Sequence, residues 1–128
     1  MKQAIQLTNV QVINRSETKQ HLDSLLIPIS RGSVFGNPYT IKESGSREQA
    51  IELYRQHIWA AISAEKPTPQ EKALVKALRN LTRAASSGAQ IRLVCHCSPK
   101  ACHGDTIVKF LHWAVNKMLA NQVAKARK

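Results

Sequence analysis

Three cysteines and two histidines fall within nine positions of one another, in the run Val94-Cys95-His96-Cys97-Ser98-Pro99-Lys100-Ala101-Cys102-His103-Gly104-Asp105. Thiols, imidazoles and a carboxylate this close together can serve as nucleophile, proton carrier and general acid or base, or as ligands to a metal. Strand alternation sets Cys95 and Cys97 on one face and His96 on the other. Pro99 then breaks the strand, and Cys102-His103-Gly104-Asp105 stands at the entrance to a helix. Free amides and the positive end of a helix dipole bind anions and lower a thiol's pKa. The expected catalytic residues are therefore Cys102 as a thiolate, His103 as a proton carrier, and Asp105 as general acid/base or ribose-hydroxyl binder. Cys95 and Cys97 are expected to line the ligand.

Zinc is the rival reading, with Cys95, Cys97, Cys102 and either histidine as its ligands. The C-x-C-x4-C-H spacing lacks the familiar C-x2-C knuckle, and adjacent Cys102 and His103 have difficulty closing on one ion. No other cofactor is called for. The plainest alternative makes Cys95 a buried small hydrophobe and the remainder of the run turn chemistry.

A second loop, Arg31-Gly32-Ser33-Val34-Phe35-Gly36-Asn37-Pro38-Tyr39, combines a guanidinium, a hydroxyl and an amide with two flexible backbone points. Glycine lets a main chain come close to a ligand, and Arg grips phosphate or carboxylate in a fork. Arg31, Gly32, Ser33, Gly36 and Asn37 are thus candidate ligand-binding residues, although Gly-Asn-Pro is also ordinary turn material.

The elements that must position these loops are legible in the hydrophobic pattern. Residues 4–13 alternate imperfectly and predict a first strand; Leu25–Ile29 predicts a second, with Pro28 favouring an edge or strand end. Ser46 and Gln49 read as a capping box opening a helix whose stripe is Ile51, Tyr54, Ile58 and Ile62, ended by Pro67. Thr68-Pro69-Gln70-Glu71 opens the next helix. Leu74, Ala77, Leu78, Leu81 and Ala85 form its apolar face, Lys72, Lys76, Arg79 and Arg83 the opposite one, and Gly88 stops it. Ile91–Cys95 is a short apolar strand. A last helix over about 103–120 buries Ile107, Val108, Leu111, Ala114, Val115 and Met118, with Phe110 and Trp113 at the core edge. Trp59 lies off the stripe of its helix, as a packing residue or a dimer contact.

Strands separated by helical patterns predict a small Rossmann-like three-layer α/β sandwich, with a mixed or mostly parallel sheet and helices on both faces. Residues 1–120 form its single domain, and 121–128 a basic, frayed tail. Ligands in such sheets bind beyond the carboxyl ends of the strands, where both loops open.

Composition narrows the classes. The chain has 128 residues, 43% of them hydrophobic, enough for one core and against disorder. No apolar run nears the roughly 20 residues of a membrane span, and the N-terminus lacks a signal-peptide stretch, so a cytoplasmic protein is expected. An odd number of cysteines crowded into one loop also suits a reducing compartment. Nineteen Lys and Arg against eight Asp and Glu give a net charge of +11. Asp105 is the one acidic residue after Glu71. Such a surface attracts polyanions, and the Lys72, Lys76, Arg79, Arg83 stripe is a candidate nucleic-acid surface as well as an ordinary solvated helix face.

The two loops, in this order and separation, resemble the uncharacterised family catalogued as domain of unknown function 4326. Its pattern is Arg-Gly-Ser-x-x-Gly-Asn-Pro-aromatic, then a Ser-Arg-Glu helix, then Cys-x-Cys-x-Pro-x-x-Cys-His-Gly-Asp before a helix. This chain carries Arg31–Tyr39, Ser46-Arg47-Glu48 and Cys95–Asp105 in those places, with His96 where the family has an aromatic residue and Phe35 where it has Trp. The resemblance covers residues 5–115. More distantly, the chain is similar to domain of unknown function 488, which ends in Leu-Cys-x-Glu, a Pro and Cys-His-Arg opening a helix. The shared elements there are Cys95, Pro99, Cys102 and His103, and a Glu in place of Cys97 weakens the zinc reading. Occurrence of the first family in bacteria and their phages implies nucleotide or nucleic-acid metabolism, or host–phage conflict.

Two functions are expected. One is a nucleotide- or nucleic-acid-related ligand site at the sheet edge, with an enzyme using the Cys-His-Gly-Asp segment as its stronger form. The other is a non-catalytic basic module that binds nucleic acid or protein, with a zinc-stapled loop as a minor variant. The oligomeric state is not legible.

Overall fold

The short apolar run Ile91–Cys95 becomes the centre of the sheet. In the computed structural model, which describes residues 7–96 and 102–126, β3 (Ile91–Cys95) is flanked by β1 (Val10–Asn14) and β2 (Leu25–Pro28) in the order β1-β3-β2. Both pairings are parallel, with Val10 and Leu25 each opposite Ile91. Ile91, Leu93, Val94 and Cys95 are all buried, as a central parallel strand covered on both faces requires. Pro28 closes an edge strand, where its missing N–H costs no ladder bond.

β1 begins later than the strand expected over 4–13. Leu7–Asn9 is not strand, and residues 1–6 lie outside the described residues. Asn9 donates its side-chain amide to the carbonyls of Ala85 (3.0 Å) and Ala89 (2.8 Å). The chain therefore enters the sheet by satisfying carbonyls that the end of a helix leaves open.

Four α-helices follow: α1 (Ile41–Ser44), α2 (Arg47–Ser63), α3 (Pro69–Ser86) and α4 (His103–Ala126). At α3 the expected capping box forms in full, Thr68 accepting from the Glu71 amide and Glu71 from the Thr68 amide. At α2 only the Ser46 half forms, accepting from the Gln49 amide. α4 runs to Ala126 rather than fraying near 120; no Gly or Pro follows Gly104, so nothing local interrupts it. Two short elements were not foreseen, α1 and a 3-10 segment over Arg15–His21. Each hangs on side-chain caps, Thr40 for α1 and the Asn14–Glu17 box for the 3-10 turn.

Strand alternation separates the two faces of the sheet. Val10, Ile91, Leu93, Cys95 and Ile29 join one core with Tyr54 and Ile58 of α2, Leu74, Leu78 and Leu81 of α3, and Ile107 and Leu111 of α4. The opposite face carries Ile13, Arg92 and Val94, and the Arg15–His21 segment packs against β1 and β3 there. Arg92 Nε donates to His21 Nδ1 on that side (3.3 Å). The architecture is thus mixed α/β with a wholly parallel three-stranded sheet, but the α-helices gather on one face. The helical layer expected on the other face is, among the described residues, a single 3-10 segment, because only ten residues, 15–24, separate β1 from β2, too few for a longer crossover helix. No described helix is long and apolar enough to cross a membrane.

Candidate functional site

The segment after β2 is built as a tight, tethered loop. Ile29 continues the ladder by donating to the Val94 carbonyl, and the chain then turns so that the Ser33 amide and hydroxyl both donate to the Ser30 carbonyl (3.1 and 2.7 Å). Gly32 sits in this turn at φ 98°, a conformation that favours glycine. Gly36 is needed for proximity: a Cβ there would lie 2.9 Å from the Ser30 carbonyl oxygen. From beneath, Tyr54 of α2 donates its buried hydroxyl to the Phe35 carbonyl (2.7 Å). Asn37 donates to the Ala50 carbonyl (3.1 Å) and accepts from the Tyr39 amide (2.9 Å). Gly32, Ser33 and Gly36, expected to touch a ligand, shape the loop instead, and none of them lines the cleft beside it.

Cys102 caps α4 with its sulfur. Its Sγ accepts from the Gly104 amide (3.3 Å) and lies 3.6 Å from the Cys95 Sγ. The Asp105 carboxylate closes the reciprocal bond by accepting from the Cys102 amide (3.3 Å). Both thiols are buried, Cys102 at 4% exposure. Burial pushes the Cys102 thiol up to about 12, the Gly104 amide opposing this and the neighbouring Cys95 adding to it. This burial opposes the thiolate expected near neutral pH: the helix end was foreseen, the desolvation was not. Asp105 is exposed, caps α4 and does not line the cleft.

His103 is the first residue of α4, and its Nε2 donates to the Ile29 carbonyl (2.6 Å), which can only accept. Its ring packs edge-on against Tyr54, with centroids 4.8 Å apart. Burial lowers its pKa, partly offset by the carbonyls of Ile29 and Phe35, so the imidazole is held neutral. His103 and Tyr54 together clamp the Ile29–Phe35 loop onto the start of α4 and the middle of α2.

These parts enclose a cleft of about 350 Å³ beyond the carboxyl ends of β2 and β3. Arg31, Asn37, Cys95, Cys102 and His103, named from the sequence, meet there with His96, named only as a possible zinc ligand, and with Ser30, Tyr39, Thr40 and Arg47, which were not singled out. Arg47 hid in the helix-start segment, where its neighbours read as caps; the Ser-Arg-Glu element of the family pattern was the signal that could have singled it out. No carboxylate lines the cleft among the described residues. Cys97 lies outside the described residues, and among those described no group of three metal-ligating side chains comes together. Lys72, Lys76, Arg79 and Arg83 are exposed on α3 and contribute nothing to this cleft.

The family model described as Domain of unknown function (DUF4326) matches residues 12–113. The chain belongs to this family. The match takes in both loops, the whole sheet from Val12 onward and α4 as far as Trp113, so every described residue of the cleft falls inside the DUF4326 span. An uncharacterised 12.4 kDa protein in the nrdA-td intergenic region of Enterobacteria phage T4 is 37% identical over 86 residues, which is 67% of each chain. No solved structure matches.

Proposed function

We propose that this DUF4326 protein binds a phosphate-bearing ligand of nucleotide class in the cleft at the carboxyl edge of its sheet. One observation carries the reading: Arg31, from the loop after β2, and Arg47, from the first turn of α2, line the same cleft without a carboxylate among the described residues. Two guanidiniums on separate elements suit an anion with several oxygens, which each can grip in a fork. A volume of about 350 Å³ is within the range of small-ligand sites. The first turns of α2 and α4 also reach the cleft, adding positive dipole ends. In this reading the sheet is a minimal Rossmann-like one, with its ligand in the place such folds use.

The Cys-His-Gly-Asp segment has a positioning role in this proposal. Cys102 and Asp105 start α4, Cys95 and Cys102 form a buried floor, and neutral His103 fixes the Arg31 loop. Proton transfer, where a reaction follows binding, falls to His103 rather than to a Cys102 thiolate. The reducing interior of a cell, where both thiols persist, is the fitting compartment.

Thermal unfolding with a panel of inorganic phosphate and nucleoside mono-, di- and triphosphates tests this. A ligand at a hundred times its Kd adds about 2.7 kcal/mol, a rise of roughly 10 °C for a domain of this size. Arg31→Ala and Arg47→Ala should each remove most of the rise, and Asp105→Asn should leave it. Stabilisation that survives both arginine substitutions would refute the proposal.

A further inference from the structure

A second concavity lies between α3 and α4, sharing no residue with the sheet-edge cleft. It holds about 280 Å³, and Val75, Leu78, Phe110 and Met118 contribute apolar walls. Arg79 and Arg83 stand on its α3 side, and Trp113 of α4, 46% exposed, on the other. The Trp113 indole is held in place by aromatic neighbours, Trp59 edge-on at 4.9 Å and Phe110 at 5.8 Å between centroids.

We propose that this groove binds single-stranded nucleic acid, with phosphates along α3 and a base against Trp113. Lys72, Lys76, Arg79 and Arg83 recur at steps of four, three and four residues, so they form one stripe roughly 16 Å long with about one cation per helical turn. All four are exposed. No acidic residue follows Glu71 on α3 or Asp105 on α4, so neither wall neutralises its own cations. The ion pair found among the described residues, Arg55–Glu52, is on α2. A regularly spaced cationic row beside an anchored, half-exposed indole is the combination that holds a single strand: charges track the backbone and the ring offers any base a stacking face. An acidic protein segment would match the charge but has no use for a flat aromatic surface at the end of an evenly spaced row.

Fluorescence anisotropy of a labelled twelve-residue oligothymidylate with the full chain, repeated over a range of salt concentrations, tests the proposal. Four phosphate contacts at about 0.7 each predict a slope of log K against log salt of about −3. Arg79→Gln with Arg83→Gln should bring the slope to about −1.5. Trp113→Ala should weaken binding by roughly five- to a hundred-fold with little change in slope, while Trp113→Phe retains most of the affinity and guards against a folding defect. Arg31→Ala should leave this binding unchanged. An affinity indifferent to Trp113→Ala, with polyglutamate competing as well as the oligonucleotide, would overturn the proposal and mark the row as a surface for acidic proteins.

Discussion

Cys102 shows how one side chain's surroundings reverse the expectation drawn from its place in the chain. A helix start favours the thiolate, but this thiol faces Cys95 and the interior, and burial outweighs the single amide that Gly104 offers. Because its pKa in the fold is raised above the ordinary value of about 8.5, the thiol is protonated in both states below that pH. Its neutral burial is then without penalty. Between there and about 12 the unfolded chain gives up a proton that the folded chain keeps, so stability falls as pH rises. Tyr54, whose phenol burial also pushes up, acts in the same sense at higher pH. Urea unfolding at pH 7 and pH 10 should show a clear loss of stability for the wild type and a smaller one for Cys102→Ala. Equal losses would mean the thiol is not shielded as described.

At the scale of elements, the contact between α4 and the sheet depends on an absent side chain. A Cβ on Gly104 would lie 2.8 Å from Ile29 Cδ1, 3.0 Å from Val12 Cγ2 and 3.2 Å from the Cys102 sulfur. Glycine at the second position of α4 thus lets the helix start press onto β1 and the end of β2, which brings His103 to the Ile29 carbonyl. Gly104→Ala should cost about 1–3 kcal/mol by overpacking, measured by equilibrium denaturation. It should also loosen the Ile29–Phe35 loop, visible as faster amide exchange there. An unaltered midpoint would show that α4 has room to shift. Caps do comparable work elsewhere, and the Thr68–Glu71 box was readable because all of its partners lie within four residues.

Over the whole molecule, charge is the dominant feature. A net charge of +11 on 128 residues is self-repelling, and an exposed pair such as Arg55–Glu52 offsets little of it. Added salt therefore screens more repulsion than attraction. Raising sodium chloride about ten-fold, from roughly 0.05 to roughly 0.5 M, should raise the melting temperature by a few degrees; a fall would reveal attractive pairs that outweigh the repulsion. Six of the nineteen cations stand at two places, two arginines in the sheet-edge cleft and four cations along α3, so ligands at either site should add stability by relieving part of the repulsion.

The amino-acid sequence by itself determined the elements whose signals are local. The α3 box, the β3 apolar run, the Pro28 strand end and the two motif loops can all be read from neighbours a few residues apart. It also determined family membership, since the motif residues keep their order and spacing. Tertiary structure alone decided which side chains share the cleft. Arg47 joins Arg31 because α2 starts beside the loop after β2, and that loop is held down by Tyr54 at the Phe35 carbonyl and by His103 at the Ile29 carbonyl. It likewise decided the burial of Cys102, for desolvation depends on everything packed around an atom, and this sulfur sits in a core drawn from β1, β3, α2, α3 and α4.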